Sequence, residues 1–359
     1  MAGDRETVIV TGAGGMIGSP VCERMNEEYR VVALDRPGPP HPPHGVDMVP
    51  FDVTDEDGVR RAMEHVRREY GDRIASVVHL AAYYNFSGEA SPLYEEVTVR
   101  GTARLLRHLR DFRVEQFVFS STMLVHAPAR PGVRITEDSP VAPTWDYPAS
   151  KVRTEELIRK ERGGIPAVFL RIAGVYDDEC HSIPLAHQIQ RIFEKRLTSH
   201  VYPADPARGQ AFVHLEDVID VFPRVIARRA ELPPEAAFLV GEPETLSYGE
   251  LQRMFGRLIH GKEWGTYRVP QLVAKAGAWV QNRLPGGAFI KPWMIERAGD
   301  HYALDVSRAA GQLGWEPRHS LRDTLPRMVE RLKADPVGWY HENKLEPPAA
   351  VRKMAGATA

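Results

Sequence analysis

Tyr147 and Lys151 stand four residues apart in Tyr147-Pro148-Ala149-Ser150-Lys151, a spacing that brings both side chains to one face of a helix. There an ammonium can lower a phenol from its usual pKa of about 10 and make it a general base near neutral pH. With 12 tyrosines and nine lysines in 359 residues, chance supplies about 0.3 such pairs, and the chain holds a second one, Tyr340…Lys344. Context separates the two. Tyr147 lies 25 residues beyond a strand-like run ending in Ser120-Ser121-Thr122, so a hydroxyl and the Tyr–Lys pair can meet at the carboxyl ends of strands, where open α/β sheets bind ligands. Tyr340 has none of this company and reads as structural.

A second group of residues points to an anionic ligand. Thr11-Gly12-Ala13-Gly14-Gly15-Met16-Ile17-Gly18 follows an apolar run and opens a helix-like segment. Gly12, Gly15 and Gly18 allow a tight turn, close approach of backbone N–H groups to a pyrophosphate and close helix–strand packing, while the helix N-terminus favours negative charge. Asp35 closes the next strand about 20 residues on, where a carboxylate accepts both hydroxyls of a ribose. Together these residues predict dinucleotide binding. Asp35 repels a 2′-phosphate and selects NAD over NADP, although the adjacent Arg36 can offset that repulsion. Asp52-Val53-Thr54-Asp55 follows the third short strand and places Asp52 and Val53 at the adenine; an N-cap for the helix beginning near Glu56 is compatible with that role. His41 and His44, in a loop with five prolines between Pro37 and Gly45, lack carboxylate or thiolate company and read as solvated, so no metal site is expected.

The elements that must position these residues show in the first 170 positions. Thr7–Val10, Val31–Leu34, Ser76–Leu80, Gln116–Ser120 and Ala167–Arg171 are short apolar runs, and they alternate with the helix-like, charged segments Ile17–Glu28, Glu56–Tyr70, Leu93–Asp111 and Tyr147–Arg162. Such alternation predicts βαβ units around a parallel sheet, with right-handed crossovers covering both faces. Beyond Arg171, helices are expected at Pro184–Arg196, Glu216–Arg229, Leu246–His260 and Pro270–Leu284, and strands at Ala211–His214 and Ala237–Val240 that return the chain to the sheet. The expectation is a doubly wound α/β fold around a parallel sheet, with a smaller, interwoven C-terminal lobe. Residues 1–171 and 211–240 form the dinucleotide-binding part, residues 172–210 and 241–344 the lobe, and residues 345–359 a fraying tail.

Composition removes several function classes. The chain is 43% hydrophobic and 26% charged, enough for a core that needs no cross-links. Forty-six Lys plus Arg against 48 Asp plus Glu leave a formal charge of −2, which gives no reason to expect nucleic acid as a partner. The only cysteines, Cys22 and Cys180, have no paired spacing, so neither a disulfide framework nor a thiolate zinc site is expected. No signal peptide is visible, and no apolar stretch reaches the ~20 residues of a membrane span. A soluble, cytoplasmic protein with a small-molecule substrate and no membrane insertion is the expectation.

In this order, the glycine string after Thr11, Val77-Val78-His79-Leu80-Ala81-Ala82, Phe119-Ser120-Ser121-Thr122, Tyr147…Lys151, Leu170-Arg171, Phe212-Val213-His214-Leu215-Glu216-Asp217 and Leu313-Gly314-Trp315-Glu316-Pro317 resemble the extended short-chain dehydrogenase/reductases, the NAD-dependent epimerase/dehydratase family. The resemblance spans roughly residues 7 to 330. It implies an NAD-binding Rossmann domain and hydride exchange at a carbon bearing a hydroxyl. Tyr147 would take the hydroxyl proton as hydride leaves, Lys151 would hold the nicotinamide ribose and depress the phenol's pKa, and Thr122 would hydrogen-bond the reacting oxygen. Leu80, Ala81 and Ala82 would line the cofactor channel. Homodimerisation, with Leu93–Asp111 and the outer face of the Tyr147 helix pairing with their copies, is implied in the same way.

Departures from the family pattern narrow the chemistry. Met123 and Leu124 stand where members that eliminate water or carbon dioxide carry an acid, which leaves oxidation–reduction epimerisation or plain alcohol dehydrogenation. Ile172-Ala173-Gly174-Val175 lacks the Asn, and Gly209-Gln210-Ala211 the Arg, of nucleotide-sugar enzymes, although Arg208 lies near enough to substitute; Thr98 stands where an Asn is common. The apolar segment Pro270–Leu284, with Phe289, Ile290, Trp293 and Met294, resembles the lobe of members acting on steroids. Tyr83, Tyr84 and Phe86, after the third long strand, and Met123 are placed on the substrate side. A nucleotide-sugar epimerase or alcohol dehydrogenase leads; a hydroxysteroid-type dehydrogenase/reductase and a non-catalytic dinucleotide-sensing regulator are the alternatives.

Overall fold

A computed structural model describes residues 5–85, 88–272, 274 and 292–356. Seven strands form one sheet: β1 (Thr7–Thr11), β2 (Arg30–Asp35), β3 (Asp47–Pro50), β4 (Ser76–His79), β5 (Phe117–Thr122), β6 (Ala167–Ile172) and β7 (Glu235–Val240). Their order is β7-β6-β5-β4-β1-β2-β3 and every pairing is parallel. The order reverses between β1 and β4, the crevice at whose carboxyl end doubly wound sheets bind ligands.

Alternation along the strands sorts the core into two layers, as burial on both faces demands. Val8, Val10, Val118 and Leu170 pack with Val21, Cys22 and Met25 of the helix Gly18–Met25 and with Val221 and Phe222 of the helix Leu215–Ala227. Ile9, Val77, Phe117 and Phe169 face the other way, onto Val59, Met63 and Val66 of Glu56–Tyr70 and Leu105, Leu106 and Leu109 of Gly101–Leu109. The lobe has its own cluster, in which Leu185, Ile189, Phe255, Leu325 and Trp339 meet. Its helix Tyr248–His260 is set by a Ser247/Glu250 capping box and ended by Gly261 at φ 71°.

The first-half strands and helices appear where the apolar pattern places them, with ends shifted by a few residues. Three details differ. Phe212–His214 does not rejoin the main sheet; it pairs in parallel with Gly174–Tyr176 as a separate two-stranded ribbon. Both sides of β6 are already occupied, by β5 and β7, so only the second return, β7, finds a place, at the edge. The helix expected over Leu93–Asp111 begins as a π-helix, Tyr94–Arg100, and becomes α-helical at Gly101. The segment from Leu345, expected to fray, buries Leu345 and Val351 and forms the helix Ala349–Gly356.

The expected apolar lobe helix, Pro270–Leu284, lies outside the described residues beyond its first turn, as do Phe86, Phe289 and Ile290. Trp293 and Met294 belong to the helix Pro292–Arg297. Cys22 and Cys180 are free and buried. Among the described residues no helix is long and apolar enough to cross a membrane.

Candidate active site

The glycine string is a tight turn built on contacts that exclude side chains. Gly12 has φ 69°, and a Cβ there would lie 2.7 Å from the Ala81 nitrogen; at Gly18 it would lie 2.0 Å from the Gly12 oxygen. Gly15 differs, because a Cβ would meet only the Gly12 oxygen, at 3.4 Å. Its open side is where a ligand can approach the backbone. Asp35 closes β2 against this turn: one carboxylate oxygen accepts from the Gly14 N–H and the other from the Arg36 N–H, each at 2.7 Å. The proline-rich loop is more than a spacer, since the His41 N–H donates to the Gly14 oxygen at 3.1 Å and Pro39 packs where a Gly14 side chain would be. Met16 is exposed, Ile17 packs on the core and Arg36 reaches solvent.

Asp52 lies beside this crevice but is not an N-cap. Its carboxylate accepts from the Thr54 N–H and hydroxyl, at 2.8 and 2.7 Å, and Asp55 occupies the N-cap position of Glu56–Tyr70. The Val53 side chain is buried, so close to Gly101 that a Cβ there would sit 2.8 Å away. Leu80, Ala81 and Ala82 leave β4 half-buried; the Leu80 N–H donates to the Thr11 oxygen at 3.1 Å and the Ala81 N–H to the Thr11 hydroxyl at 3.4 Å.

Sequence reasoning used His79 only as part of a motif, yet it ties this edge together. The Thr11 hydroxyl meets its Nδ1 at 2.6 Å, its Nε2 meets the Thr102 hydroxyl at 2.8 Å, and that hydroxyl donates to the Thr98 oxygen at 2.6 Å. Complete burial, with the Lys151 charge nearby, drives its pKa down to about 3, so a neutral ring links the two strands to the π-helix. Thr98 uses its own hydroxyl to accept from the Tyr83 N–H at 3.0 Å, which fixes the loop leaving β4.

The helix Asp146–Glu161 brings Tyr147 and Lys151 to the end of β5. Lys151 is 3% exposed; its Nζ donates to the Ser120 oxygen at 2.7 Å and lies 4.7 Å from the Phe119 ring centroid and 6.0 Å from that of Tyr147. Thr122 lies near enough to the Tyr147 phenol to influence it, and its Oγ1 accepts from the Leu124 N–H at 3.3 Å. The expected depression of the phenol by the ammonium is not what this arrangement produces. Burial pushes the Tyr147 phenol above its ordinary range, with Thr122 opposing, and pushes Lys151 down to about 7, with Glu155 opposing. Taking both groups out of water outweighs their local partners.

Aromatic rings surround the phenol. Tyr84, half-exposed, stands edge-on at 4.9 Å between centroids, Trp145 lies at 5.5 Å and Tyr94 at 6.4 Å. Tyr83 packs on Tyr94 at 4.9 Å. Tyr84 therefore faces the site, while Met123 is 2% exposed and packs in the core. Tyr340, of the second Tyr–Lys spacing, is buried in the lobe and donates to Glu194 at 2.8 Å.

A cationic group that sequence reasoning met only through Arg208 stands on the lobe side. Arg191 and Arg208 lie close enough to Tyr202 to lower its phenol against burial, and Arg208 and Arg297 do the same to the Asp300 carboxyl. Arg208 donates to the Gly299 oxygen at 2.6 Å, and Arg297 to the Thr144 oxygen, just before Trp145. Arg297 thus connects the lobe to the start of the Tyr147 helix. A separate cluster, His214, Glu216 and His319, has donor atoms within 4.8 Å of one another. His214 Nδ1 accepts the Glu216 N–H at 3.2 Å, which leaves the proton on Nε2 and takes away that lone pair from a metal; the pattern is a helix cap.

Residues 8–241 match the model of the NAD dependent epimerase/dehydratase family. The chain is 28% identical to the UDP-glucose 4-epimerase of Streptomyces lividans over 62% of its own length and 71% of that protein's. It is 27% identical to short-chain dehydrogenase/reductase family 42E member 1 of Macaca fascicularis over 68% of its length and 64% of that protein's. Two solved structures share the fold: the UDP-glucose 4-epimerase of Thermus thermophilus in complex with NAD, at TM-score 0.67 and 22% identity, and the UDP-glucuronic acid 4-epimerase of Bacillus cereus in complex with UDP-glucuronic acid and NAD, at TM-score 0.68 and 20% identity. Each comparison covers 91% of this chain and 99% of the other. With a glycine turn, an aspartate closing β2 against it and a Thr–Tyr–Lys group gathered at one sheet crevice, and a family model matched over 8–241, the chain belongs to the NAD dependent epimerase/dehydratase family.

Proposed function

We propose that the protein is an NAD-dependent oxidoreductase that epimerises a nucleotide-linked sugar at a hydroxyl-bearing carbon. The observation that carries the substrate class is the charge on the lobe side: Arg191 and Arg208 lie by Tyr202, and Arg208 and Arg297 lie by Asp300, three cations to one carboxylate, an excess that suits a diphosphate and has no use for a sterol. The contact types whose absence from the family positions weakened this reading are supplied from other positions, by Arg208 and Arg297.

The Gly12–Gly18 turn and Asp35 suit a dinucleotide's pyrophosphate and ribose, with Gly15 offering the approach and Asp35 favouring NAD. When bound, NAD supplies reversible hydride acceptance. The chain's own residues move the proton: Tyr147 exchanges it with the substrate hydroxyl, Thr122 orients that oxygen, and Lys151 holds the ribose beside the phenol. Tyr84 and Trp145 cover the reacting carbon and limit water. In assays against UDP-glucose, UDP-galactose, UDP-glucuronic acid and a set of hydroxysteroids, turnover is expected with a UDP-sugar, with NAD preferred to NADP. Steroid oxidation without UDP-sugar turnover would replace this reading by the hydroxysteroid one, and dinucleotide binding without any turnover by a sensing role.

A homodimer through Leu93–Asp111 and the outer face of Asp146–Glu161 belongs to the same proposal. Leu93 is 43% exposed, and the outward positions Arg153 and Glu156 are exposed, leaving that face available to a copy. Light scattering at micromolar concentration is expected to give the mass of two chains, and the mass of one would contradict it. A cytoplasmic location accords with the two free, buried thiols.

A further inference from the structure

The last three residues of β5 each engage a different turn of the Asp146–Glu161 helix. Thr122 lies beside the Tyr147 phenol, the Ser120 oxygen accepts from Lys151 at 2.7 Å, and the Ser121 hydroxyl donates to Glu155 Oε1 at 2.6 Å. Tyr147, Lys151 and Glu155 follow one another at four-residue steps, so they form one face of that helix. The third rung lies outside the residues that touch substrate or cofactor in the reading above.

That rung is anchored from behind. Arg171, on β6, grips Glu155 with two N–H groups, Nε to Oε1 at 3.1 Å and a terminal nitrogen to Oε2 at 2.8 Å. Its other terminal nitrogen reaches His126 Nε2 at 3.1 Å and the Glu137 oxygen at 3.0 Å. His126 donates from Nδ1 to the Ser139 oxygen at 3.0 Å, and burial and the neighbouring guanidinium hold it neutral, with its pKa lowered to about 4. The Glu155 and Arg171 side chains are 3% and 5% exposed. Every polar atom named here has a partner, which gives the network one geometry.

A buried ion pair of this kind is a poor source of stability, since apolar residues of similar volume often do as well or better. Its position gives another reason for it. We infer that Glu155 and Arg171 are positioning residues, which through Ser121 fix the strand end bearing Thr122 against the helix bearing Tyr147 and Lys151. The pair also sets local charge. Lys151 is faced by Glu155 on its own helix, by the Ser120 oxygen and the Phe119 ring of β5, by the Tyr147 phenol and by neutral His79 of β4, with Arg171 and, at 3.3 Å, Arg159 on the far side of Glu155. Among the described residues, Glu155 is thus the one carboxylate that opposes the loss of the ammonium's charge.

The inference rests on Tyr147 and Lys151 being the reacting pair, and the experiment separates the two ideas. Turnover, its pH profile and melting temperature are measured for Tyr147→Phe, Ser121→Ala, Glu155→Gln and the double variant Glu155→Leu/Arg171→Met. Misplacing reacting groups by about an ångström can cost about 10²-fold, so Glu155→Gln is expected to lose about 10- to 100-fold in kcat and Ser121→Ala about 3- to 10-fold. The double variant keeps the fold but not the rate, and the alkaline break of the pH–rate profile, set by Lys151, moves to lower pH when Glu155 is neutral. Retention of kcat within twofold in Ser121→Ala and in the folded double variant, with an unshifted alkaline break when Glu155 is neutral, would overturn the inference, whatever the melting temperatures do. Full activity of Tyr147→Phe would instead remove the assignment of the base.

Discussion

Replacing Tyr147 by Phe is expected to lower turnover by about 10²- to 10⁴-fold, the range of a lost general acid–base group, while dinucleotide affinity and melting temperature stay near those of the parent. The ring remains, and with it the packing against Tyr84 at 4.9 Å and Trp145 at 5.5 Å; only the hydroxyl that meets Thr122 goes. The direction of the pH dependence follows from the phenol's raised pKa. At neutral pH the buried phenol holds its proton, so reduction of a carbonyl, which draws that proton, is expected to be flat or faster toward acid. Oxidation of the hydroxyl needs the proton gone and is expected to rise with pH. Lys151, pushed down to about 7, loses its charge over the same range, which bends the rise on its alkaline side. Single-turnover reduction of bound NAD by the hydroxyl substrate and reoxidation of the reduced cofactor by a keto-sugar, followed separately from pH 6 to 10, test this, and equal slopes in the two half-reactions would contradict it.

Some of this arrangement is held locally in the sequence and some is not. β1, β2 and β4 to β7 appear as β-branched or apolar runs because a parallel strand is buried on both faces, and its residues say so without reference to anything distant. The glycine turn and the Tyr147–Lys151 spacing are legible for the same reason, since each lies within one turn or one helix. Strand pairing is not local. Phe212–His214 has the composition of a sheet strand, but whether β6 has a free side depends on β5 and β7, which come from well-separated parts of the chain. Glu155 and Arg171 are ordinary in composition, and their meaning comes only when β6 is laid beside β5. His79 is another such case, because its two hydroxyl partners come from β1 and from the helix Gly101–Leu109. Arg297 reaches Thr144 across 153 positions. The phenol's raised pKa is a burial effect that the four-residue spacing, read alone, assigns the opposite sign.

Alanine at the glycines of the turn is expected to separate folding from cofactor binding. At Gly18 the new Cβ would sit 2.0 Å from the Gly12 oxygen and 2.9 Å from the Ala13 Cα, both main-chain atoms of the turn that joins β1 to the first helix. Neither can move without breaking the close packing of helix on strand, so Gly18→Ala is expected to lose about 3 kcal/mol or more of stability, in the range of overpacked cores and strained backbone. Gly12→Ala meets the Ala81 nitrogen at 2.7 Å and also carries φ 69°, a conformation that costs an L-residue about 1 kcal/mol or more before any contact is counted. Gly15 has neither problem, since its nearest neighbour would be 3.4 Å away. Gly15→Ala is therefore expected to melt within a few degrees of the parent, yet to bind NAD at least about tenfold more weakly, because the methyl group occupies the approach that the pyrophosphate needs. Thermal melting and calorimetric titration with NAD, run on the three variants together, decide the matter. A Gly15→Ala variant that binds NAD like the parent would place the pyrophosphate elsewhere on the turn, and the loss of fold in that variant alone would show that Gly15, not Gly18, carries the packing.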